Sequence, residues 1–441
     1  MAGGAGFFPR VIQSFPMKVV HINKADTGGG AAVAMCRIHA ALRKEGVDSS
    51  ILVEQVRSSS ESAFSTSPSA VDRGVDFAHF VFERLRILPH ERYSSMRFNF
   101  SLASDGRDIS SLPVVREADV IHLHWVNQGF LSMSSLQSLA ALGKPVVWTL
   151  HDMWPFTGGC HYAGTCLEFN EHCGFCPFLR DPGKDDLSAR LFKLKKETYQ
   201  KMNLSIVACS QWLSTLASSS SLFHKRKTVA IPNPIDTSVF RPLDKARCRA
   251  ELGLPADKKL ILFGAAKVSD IRKGYRYLVE ALRIIANSFP SVASHTELVV
   301  FGEMDKEIND FGIEFNVHSM NFISSTECLV QLYNAADAFV LPSLQDNLPN
   351  TVVESLACGT PVVGFRNCGV PEMVVHGKTG YLAEPKNSLS LANGIYATLF
   401  FDADKKRDEV VNHAKSLFGE HAVAQKYIDV YNNALLSNGS R

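Results

Sequence analysis

Short apolar runs alternate with longer segments of helical periodicity along most of the chain. The runs predicted to be strands in the first half are 18–23, 50–53, 119–125, 145–150 and 205–210. Those in the second half are 259–263, 297–301, 338–342 and 361–365. Continuous Val, Ile and Leu runs of this length are typical of strands buried on both faces, and their alternation with helices favours parallel, doubly wound sheets. The sequence therefore predicts an α/β protein built from two such domains.

The break between the two domains is predicted at residues 231–234, because two prolines in four residues cannot continue a helix or a central strand. We expect a first domain over 17–232, with a cysteine-rich insertion at about 157–180, and a second domain over 233–441. The last helical pattern, near 421–436, is a candidate to pack back on the first domain.

Three stretches do not follow the alternation. Residues 1–16 precede the first strand and are predicted to be a disordered extension. The serine-rich stretch 56–75 is predicted to be a mobile loop. Residues 77–100 mix aromatic side chains with arginines, which indicates an amphipathic surface, with a position near an acceptor site as the alternative.

Composition and charge exclude several classes of protein. The 441 residues are 46% hydrophobic and 20% charged, with a formal net charge of +2, which is an ordinary globular balance. Because this balance gives no electrostatic footprint for nucleic acid, no nucleic-acid partner is expected. The sequence has no apolar run near the ~18 residues that span a bilayer, and its N-terminus has no apolar core of signal-peptide length. We therefore expect a cytoplasmic protein.

Ten cysteines divide into six that are scattered singly and four that are close together. The four are Cys160, Cys166, Cys173 and Cys176, of which the last two form a C-x-x-C pair. Thiolates this close in sequence suit a structural zinc ion, with His161 and His172 nearby as substitutes. The C-x5-C spacing of the first pair is not that of a usual zinc knuckle, so reduced thiols or disulfides stay open as alternatives. A catalytic metal is disfavoured, because four cysteine ligands leave no open position.

A glycine-rich turn, Asp26-Thr-Gly-Gly-Gly30, lies between the first predicted strand and a helical pattern. Gly28, Gly29 and Gly30 would let a ligand approach backbone N–H groups at the start of that helix. The turn lacks the full G-x-G-x-x-G spacing, so a tight strand-to-helix turn without a ligand is the alternative.

Histidine and tryptophan follow two of the predicted strands. His151 comes directly after one of them, and His122, His124 and Trp125 lie at or near the end of another. Ligands of open parallel sheets bind at the carboxyl ends of the strands, which makes His151 a candidate site residue. A structural role is the alternative.

Cations follow the first predicted strand of the second half. They are Lys267, Arg272 and Lys273. At the end of a strand they would face the crevice, where a diphosphate could bind them. An exposed loop with solvated charges is the alternative.

The most specific stretch, 338–364, is predicted to form a strand, a loop, a short helix, a glycine stop and a second strand. The loop residues Asp346, Asn347 and Leu348 present backbone N–H groups at the start of the helix, which suits an anionic phosphate. Glu354 is an unusual charge between apolar neighbours in that helix, and ribose hydroxyls are a suitable partner. The alternative is that Glu354 faces solvent.

Together these motifs resemble the glycosyl transferases group 1 family, the retaining glycosyltransferases of GT-B fold that include enzymes of bacterial polysaccharide and lipopolysaccharide synthesis. The family's signature is two acidic residues eight positions apart before a Cys/Ala-Gly-x-Pro-Val-Val run, matched here by Asp346, Glu354 and residues 358–363. The other matching elements are Lys273-Gly274, Asn233-Pro-Ile-Asp236 and Gly369-Val-Pro-Glu372. Residues 26–30 and 151–155, with the four cysteines, resemble a bacterial subgroup associated with exopolysaccharide or colanic acid assembly.

The resemblance, which covers nearly the whole chain from Met17, implies two Rossmann-like domains that face each other across a cleft. The first would be the acceptor-side domain and the second the nucleotide-sugar-binding domain. The implied reaction is retaining transfer of a hexosyl group from a UDP- or GDP-sugar to a glycan or lipid-linked acceptor, with no cofactor required for catalysis. It also implies a peripheral position at the inner face of the membrane.

The resemblance assigns roles to individual residues. His151, Asp346 and Glu354 would be catalytic: His151 would contact the sugar near the reacting carbon, and Glu354 would bind the ribose. Asp346 and the amides after it, at Asn347 and Leu348, would hold the hexose and the diphosphate. Lys273 would neutralise the leaving diphosphate, and the glycine loop at 28–30 would face the donor phosphates or the acceptor.

Two positions depart from the family pattern. Asp346 stands where the first acidic residue is usually Glu, and Ala265 stands where an Arg usually follows the Gly of the phosphate-binding strand. Arg272 or Lys267 is the candidate replacement for that Arg. A nucleotide-sugar epimerase or hydrolase, and a catalytically silent nucleotide- or glycan-binding subunit, are the alternative functions.

Overall fold

A computed structural model describes residues 17–58, 60–94, 97–303, 313–400 and 403–439. The predicted N-terminal extension at 1–16 lies outside these residues.

The first half of the described chain forms one parallel sheet. Its strands are β1 (Lys18–Ile22), β2 (Asp48–Val53), β3 (Ala63–Ser65), β4 (Val120–Leu123), β5 (Pro145–Leu150), β6 (Asn203–Ala208) and β7 (Thr228–Ala230). They pair in the order β3-β2-β1-β4-β5-β6-β7, and each pairing is parallel. The helices between them are α1 (Gly30–Lys44), α2 (Ala70–Ile87), α3 (Pro113–Glu117), α4 (Met133–Ala141), α5 (Leu187–Gln200) and α6 (Gln211–Ser219).

The second half repeats this plan. Its strands are β8 (Lys259–Lys267), β9 (Thr296–Glu303), β10 (Val317–Ser319), β11 (Ala338–Leu341), β12 (Val362–Phe365) and β13 (Gly380–Ala383). The order is β10-β9-β8-β11-β12-β13, with parallel pairing throughout. The helices are α7 (Lys245–Leu252), α8 (Tyr275–Ser288), α9 (Pro290–Ser294), α10 (Thr326–Ala335), α11 (Asn350–Ala357), α12 (Val370–Met373), α13 (Ser388–Leu399), α14 (Ala403–Phe418) and α15 (Glu420–Gly439). In both sheets the strand order reverses direction once beside the first strand, so the prediction of two doubly wound Rossmann-like sheets is confirmed.

Alternate residues of the central strands pack on opposite faces of the first sheet. Trp148 and Leu150 of β5 join one core cluster, whereas Val147 joins another that includes Tyr427 of α15. Thus α15 covers one face of the first sheet, although it follows the second sheet in the chain. Its Tyr431 hydroxyl lies 2.7 Å from Nδ1 of His122 in β4.

Two local predictions are wrong in part. The stretch 56–75 was predicted to be one loop, but it contains the edge strand β3 and the start of α2. Ser69 caps α2, because its side chain accepts from the backbone N–H of Asp72 and the Asp72 side chain accepts in return. The first strand of the second half was predicted to end at residue 263, but β8 continues through an irregular pairing with β9 as far as Lys267. Lys267 therefore lies on a strand rather than in the following loop.

Among the helices in the described part of the chain, none combines the length and the apolar character needed to cross a membrane.

Candidate active site

The carboxyl ends of the two sheets face each other across a cleft, and the two domains touch there directly. Asn347, in the loop after β11, donates through Nδ2 to the backbone oxygens of Leu150 (3.3 Å) and His151 (3.4 Å) at the end of β5. The Ser210 hydroxyl donates to Asn347 Oδ1 at 2.5 Å. At a second contact between the domains, the Glu372 carboxylate accepts from the first two backbone N–H groups of α6, at 2.6 and 2.7 Å. The structure therefore brings the predicted residues His151 and Asn347 together in a closed cleft.

Glu354 is buried and paired across this cleft. Arg37, on α1 of the first domain, lies 2.6 Å from one carboxylate oxygen, and the Tyr333 hydroxyl donates to the other at 2.8 Å. The Arg37 guanidinium also lies over the Phe240 ring, 5.0 Å from its centre. The alternative that Glu354 faces solvent is wrong, since it is 6% exposed. Its role in ribose binding stays a prediction.

Sequence reasoning missed Arg37 and Tyr333. Tyr333 precedes Glu354 by 21 residues and Arg37 precedes it by 317. The available signal was Arg37 itself, a charge in the otherwise apolar stretch Ala34-Met35-Cys36-Arg37-Ile38. A charge in such a place tends to have a buried partner.

Lys273 and Asp346 form an ion pair on the second-domain side. Lys273 Nζ lies 2.5 Å from Asp346 Oδ2, and the Ser343 hydroxyl lies 3.3 Å from the same oxygen. Gly274 follows with a positive φ of 69°, and a Cβ there would lie 1.9 Å from the Pro342 oxygen. This close approach requires glycine, and it places Lys273 beside the loop after β11.

Arg272 and Lys267, the two candidate replacements for the missing arginine, occupy different places. The Arg272 guanidinium pairs with Asp270 at 2.6 Å and lies over the ring of Tyr162, 4.8 Å from its centre. Tyr162 belongs to the cysteine-rich insertion of the first domain, so this is another contact across the cleft. Lys267 is exposed at the end of β8. The geometry favours Arg272 as the cation beside Lys273.

Tyr162 is a site residue that sequence reasoning missed. It is half-buried, and burial, followed by the nearby Asp346 carboxylate, raises the pKa of its hydroxyl. Leu348, by contrast, packs in the core of the second domain. A ligand could therefore meet Leu348 only through its backbone.

The glycine loop lies open opposite the start of α11. Gly28 has a positive φ of 81°, and a Cβ at Gly28 or Gly29 would meet no atom within 4 Å. The Gly30 oxygen accepts from Asn350 Nδ2 at 3.0 Å. The loop therefore leaves space for a ligand beside the N-terminus of α11, and the predicted binding of a ligand at Gly28, Gly29 and Gly30 stays a prediction.

His151 stands at the end of a row of buried imidazoles. Its Nε2 lies 3.0 Å from Nδ1 of His124, and Nε2 of His124 lies 3.0 Å from Nδ1 of His21. The other nitrogen of His151 lies 3.6 Å from the sulfur of Cys209. Burial lowers the pKa of His151 to about 4, so the ring is neutral at neutral pH.

A metal ion is a second possible ligand of His21, His122 and His124. One nitrogen from each lies within 4.8 Å of the others. However, His122 already uses its two nitrogens, at 2.7 Å from the Tyr431 hydroxyl and at 2.7 Å from Thr149 Oγ1. His21 and His124 bond to each other, so these rings form a neutral hydrogen-bonded network. The sequence analysis did not single out His21, which pairs in register with His122 on the neighbouring strand.

Asp152 holds three segments around the cleft. Its carboxylate accepts from Trp125 Nε1 at 2.9 Å, from His161 Nδ1 at 2.7 Å and from the backbone N–H of Trp154 at 2.8 Å. Burial acts to raise the pKa of Asp152, but the interactions with His161 and the other donors outweigh it and lower the pKa. An ionised Asp152 therefore fixes the insertion to the ends of β4 and β5.

The four clustered cysteines line one small cavity of the insertion. Cys160, Cys173 and Cys176 are buried, Cys166 is half-buried, and none forms a disulfide. The neighbouring His161 is bound to Asp152 and to Ser101, at 3.0 Å from its hydroxyl. His161 is therefore occupied elsewhere. Among the described residues, the ligand atoms that lie within 4.8 Å of one another belong to a group of three histidines and not to these cysteines, so the structural zinc ion stays a prediction.

Two family models match the chain. The model described as Glycosyltransferase Family 4 matches residues 28–239, and the model described as Glycosyl transferases group 1 matches residues 244–416. The first match contains the first sheet from β2 onwards, together with the cysteine-rich insertion. The second contains the second sheet and the charged residues of the cleft.

Known proteins resemble the chain over most of its length. The putative colanic acid biosynthesis glycosyl transferase WcaC of Escherichia coli (strain K12) is 24% identical over 73% of this chain and 76% of its own. The D-inositol 3-phosphate glycosyltransferase of Acidothermus cellulolyticus is 24% identical over 98% of this chain and 92% of its own. The crystal structure of Anabaena Alr3699/HepE in complex with UDP and glucose has a TM-score of 0.61, at 17% identity, over 95% of this chain and 100% of its own.

Proposed function

We propose that this chain, a two-domain member of the glycosyl transferases group 1 family with the GT-B fold, transfers a hexosyl group from a UDP- or GDP-sugar to a glycan or lipid-linked acceptor. The observation that carries the proposal is the grouping of Arg272, Lys273 and Asp346 beside the start of α11, directly opposite His151. Cations and helix N–H groups at one place suit a diphosphate. The anomeric configuration would be retained, and the product would belong to cell-surface polysaccharide.

The charge of the leaving diphosphate would be neutralised by Lys273, Arg272 and the backbone N–H groups that follow Asp346. Lys273 has three donors, so it can keep its bond to Asp346 and still donate to a phosphate oxygen. Donors that are fixed before the reaction stabilise developing charge most strongly. We propose that these groups act in place of a bound metal ion.

Glu354 would accept from the ribose hydroxyls while it stays bonded to Arg37 and Tyr333. A carboxylate offers about four acceptor positions, and the two known partners use two of them. The remaining acceptor positions are therefore available to the ribose hydroxyls.

In the transfer step, the bond between the anomeric carbon and the donor phosphate oxygen would break as the acceptor oxygen bonds to the same face. The acceptor proton would pass to the leaving diphosphate oxygen. His151, which is neutral, would border the sugar through its backbone oxygen and the edge of its ring. Closure of the cleft would exclude water and limit donor hydrolysis.

The acceptor side includes α2, a helix whose polarity is reversed. Its acidic residues Asp76 and Glu83 are 4% and 0% exposed, whereas the apolar residues at one helical face are open to solvent. That face consists of Val71 (77% exposed), Val75 (42%), Phe82 (54%) and Leu85 (54%), at spacings of four, seven and three residues.

Buried bonds hold α2 in this orientation. Glu83 accepts from the backbone N–H groups of Leu102, Ala103 and Gly129, at 2.9, 3.2 and 2.7 Å. Asp76 pairs with Arg107 at 2.9 Å. The apolar face is therefore fixed outward by the fold.

The exposed face of α2 fits an anionic lipid surface. Arg86, directly after Leu85, and Arg92, just beyond the helix, are exposed. Apolar side chains flanked by arginines are suited to the boundary between lipid headgroups and acyl chains. We propose that α2 places the cleft on the inner face of the membrane, near a lipid-linked acceptor. The ten free thiols suit the reducing conditions of the cytoplasm on that side.

Sedimentation with lipid vesicles tests this surface. Wild-type protein should bind vesicles that contain phosphatidylglycerol, and Phe82→Glu with Leu85→Glu should abolish binding. Leu389→Glu, which changes a residue of the second domain that is 57% exposed, is the matched control and should bind as wild type does. Equal binding by the α2 variant and the control would contradict the membrane assignment.

The transferase reaction is tested by incubating wild-type protein with UDP- and GDP-sugars, with and without a lipid-linked oligosaccharide. The proposal predicts nucleotide release that depends on the acceptor, and a product whose new bond has the donor's anomeric configuration by NMR. Release without acceptor would indicate a hydrolase, conversion of the donor sugar would indicate an epimerase, and binding without turnover would indicate a silent subunit. Each of these three outcomes contradicts the proposal.

A further inference from the structure

A row of three imidazoles crosses the first sheet and ends at the cleft. His21 lies in β1, His124 directly after β4 and His151 directly after β5, and these three strands are neighbours in the order β1-β4-β5. Nδ1 of His21 lies 3.0 Å from Nε2 of His124, and Nδ1 of His124 lies 3.0 Å from Nε2 of His151. Each distance is that of a hydrogen bond, which needs one proton between the two nitrogens.

Only two arrangements of protons fit this row. Burial lowers the pKa of all three rings, so each ring is neutral at neutral pH and has one N–H and one lone pair. His124 must therefore donate to one neighbour and accept from the other. Either all three protons are on Nδ1 and the hydrogen bonds run toward the cleft, or all three are on Nε2 and the bonds run away from it.

The buried end of the row favours the first arrangement. Nε2 of His21 is buried and has no hydrogen-bond partner in the part of the chain that the structure describes. With the proton on Nε2, this nitrogen would be a buried N–H without an acceptor, and such groups are rare in folded proteins. With the proton on Nδ1, the N–H of His21 bonds to His124, and only a lone pair is left without a donor.

The other end of the row gives the last N–H an acceptor. Nδ1 of His151 lies 3.6 Å from the sulfur of Cys209, which can accept a weak hydrogen bond. In the Nδ1 arrangement, every N–H of the row therefore has an acceptor. Cys209 packs with the apolar core of the second domain, and the neighbouring Ser210 bonds to Asn347. The Nδ1 edge of His151 thus lies where the two domains meet.

We propose that His124, held in turn by His21, is a positioning residue that fixes the proton of His151 on Nδ1 and makes that edge of the ring a hydrogen-bond donor to the transferred sugar. An oxygen of the sugar can replace the sulfur of Cys209, because sulfur is the weaker acceptor. The lone pair on Nε2 is already used by His124, so His151 has no nitrogen free to take the proton of the acceptor. The tautomer stands independently of the proposed function, whereas the contact with the sugar rests on it.

Nitrogen NMR of the full-length protein, labelled with nitrogen-15 in its histidines, tests the tautomer. The signals of His151, His124 and His21 are assigned by their loss when each residue is replaced by Asn. At neutral pH each of the three rings should show a protonated Nδ1 and an unprotonated Nε2, which differ in chemical shift and in coupling. A protonated Nε2 on His151, or an average of two tautomers, would overturn the proposal.

The positioning role of His124 is tested by two replacements. His124→Leu removes the donor to His151, so a second tautomer of His151 should appear. His124→Asn, whose amide N–H lies close to the position of Nδ1, should keep the wild-type tautomer. His39→Leu is the matched control and should leave His151 unchanged, since it removes a buried histidine that bonds to Ser49 and Ser62 outside the row. An unchanged tautomer in His124→Leu would overturn the role of His124. A mixture in His124→Asn would do so as well, so the test does not depend on the folding of the Leu variant.

The role of the Nδ1 edge is tested by transfer kinetics on two variants of His151. The amide nitrogen of Asn lies close to the position of Nδ1, and that of Gln close to the position of Nε2. The kcat/KM of His151→Asn should therefore exceed that of His151→Gln by about tenfold, the effect of one hydrogen bond. Equal values, or a higher value for His151→Gln, would overturn the contact with the sugar while the tautomer stands. Wild-type protein without transfer activity would contradict the proposed function and this contact together, and the NMR result would still decide the tautomer.

Discussion

The two sides of the cleft differ in charge. On the first-domain side, the strand ends around His151 carry a row of neutral rings. His21 and His124 are buried, His151 is half-buried, and burial lowers the pKa of each. The second-domain side carries Lys273 and Asp346 as an ion pair, with Arg272 next in sequence. A neutral, rigid surface suits the sugar, and a charged surface suits the diphosphate. The comparison teaches that similar sheets can place different chemistry at their strand ends.

The largest expected effect is on stability at acid pH, and it should separate the two domains. Five histidines of the first domain have lowered pKa values, namely the buried His21, His39, His122 and His124 and the half-buried His151. Below about pH 6.5 the unfolded chain binds protons that the folded domain does not. Stability should therefore be full above pH 6.5 and fall as the pH decreases toward 4, by up to about 1.4 kcal/mol per pH unit for each histidine.

Hydrogen exchange, corrected for the intrinsic effect of pH, checks this prediction. Between pH 7 and pH 5, amides of β1, β4 and β5 should lose protection. Amides of β11 and β12, whose residues include no histidine, should keep it. Equal loss of protection in both sheets would contradict the prediction that these histidines make the first domain the more sensitive to acid.

The next largest effect is expected on turnover, when the Lys273 cation is removed from the second-domain side of the cleft. Lys273→Met should lower kcat for transfer by about 10²–10³-fold, since a fixed donor to a leaving group contributes about 3–4 kcal/mol. Lys258→Met, which removes a lysine that bonds to the Ser294 oxygen outside the cleft, is the control and should keep wild-type turnover. Steady-state kinetics on both variants would decide, and similar rates in the two would remove Lys273 from the mechanism.

A smaller effect, on the free energy of unfolding, is expected at the contact between Arg37 of the first domain and Glu354 of the second. Arg37→Met leaves the Glu354 carboxylate buried with only Tyr333, so the free energy of unfolding should fall by about 3 kcal/mol. Chemical denaturation measures it. If Glu354→Gln in the same chain restores most of the loss, the cost comes from the unpaired charge. No recovery in the double variant would assign it to lost packing of Arg37 on Phe240.

The smallest effect is expected at an exposed contact between the domains. Lys44 bonds to Asp236 at 2.9 Å and to Glu420 at 2.6 Å, but its side chain is 52% exposed. Exposed ion pairs contribute about 0–1 kcal/mol, so Lys44→Met should change the free energy of unfolding by less than about 1 kcal/mol. A loss as large as that of Arg37→Met would mean that burial does not distinguish the two contacts.

The sequence predicted the fold because its signals are local. Most of the central strands are short apolar runs, and their positions were found within a few residues. The four edge strands, β3, β7, β10 and β13, were not among the predicted strands. Each has only three or four residues, and β3, with the sequence Ala-Phe-Ser, has no apolar run. The reversed polarity of α2 was missed too, because the partners of Asp76 and Glu83 are supplied by tertiary structure.

The sequence indicated single residues of the candidate site, but it did not indicate which residues contact each other. Strand ends and motif spacing pointed to His151, Asp346 and Glu354, which all lie at the cleft, and their roles stay predictions. The partner of Glu354 was not found, because Arg37 lies 317 residues away. The row of imidazoles depends on the register of β1 against β4, and the role of Tyr162 depends on how the insertion crosses the cleft. These features arise from the packing of separate segments, which local patterns do not encode.

Calorimetric titration with UDP and GDP tests the central claim most directly. The account predicts that wild-type protein and Lys258→Met bind at least one of the two nucleotides with similar affinity, and that Lys273→Met binds it at least about tenfold more weakly, because one charged contact to phosphate is lost. Equal affinity of Lys273→Met and wild type, or no binding of either nucleotide by wild type, would contradict the assignment of the charged side of the cleft as the donor site.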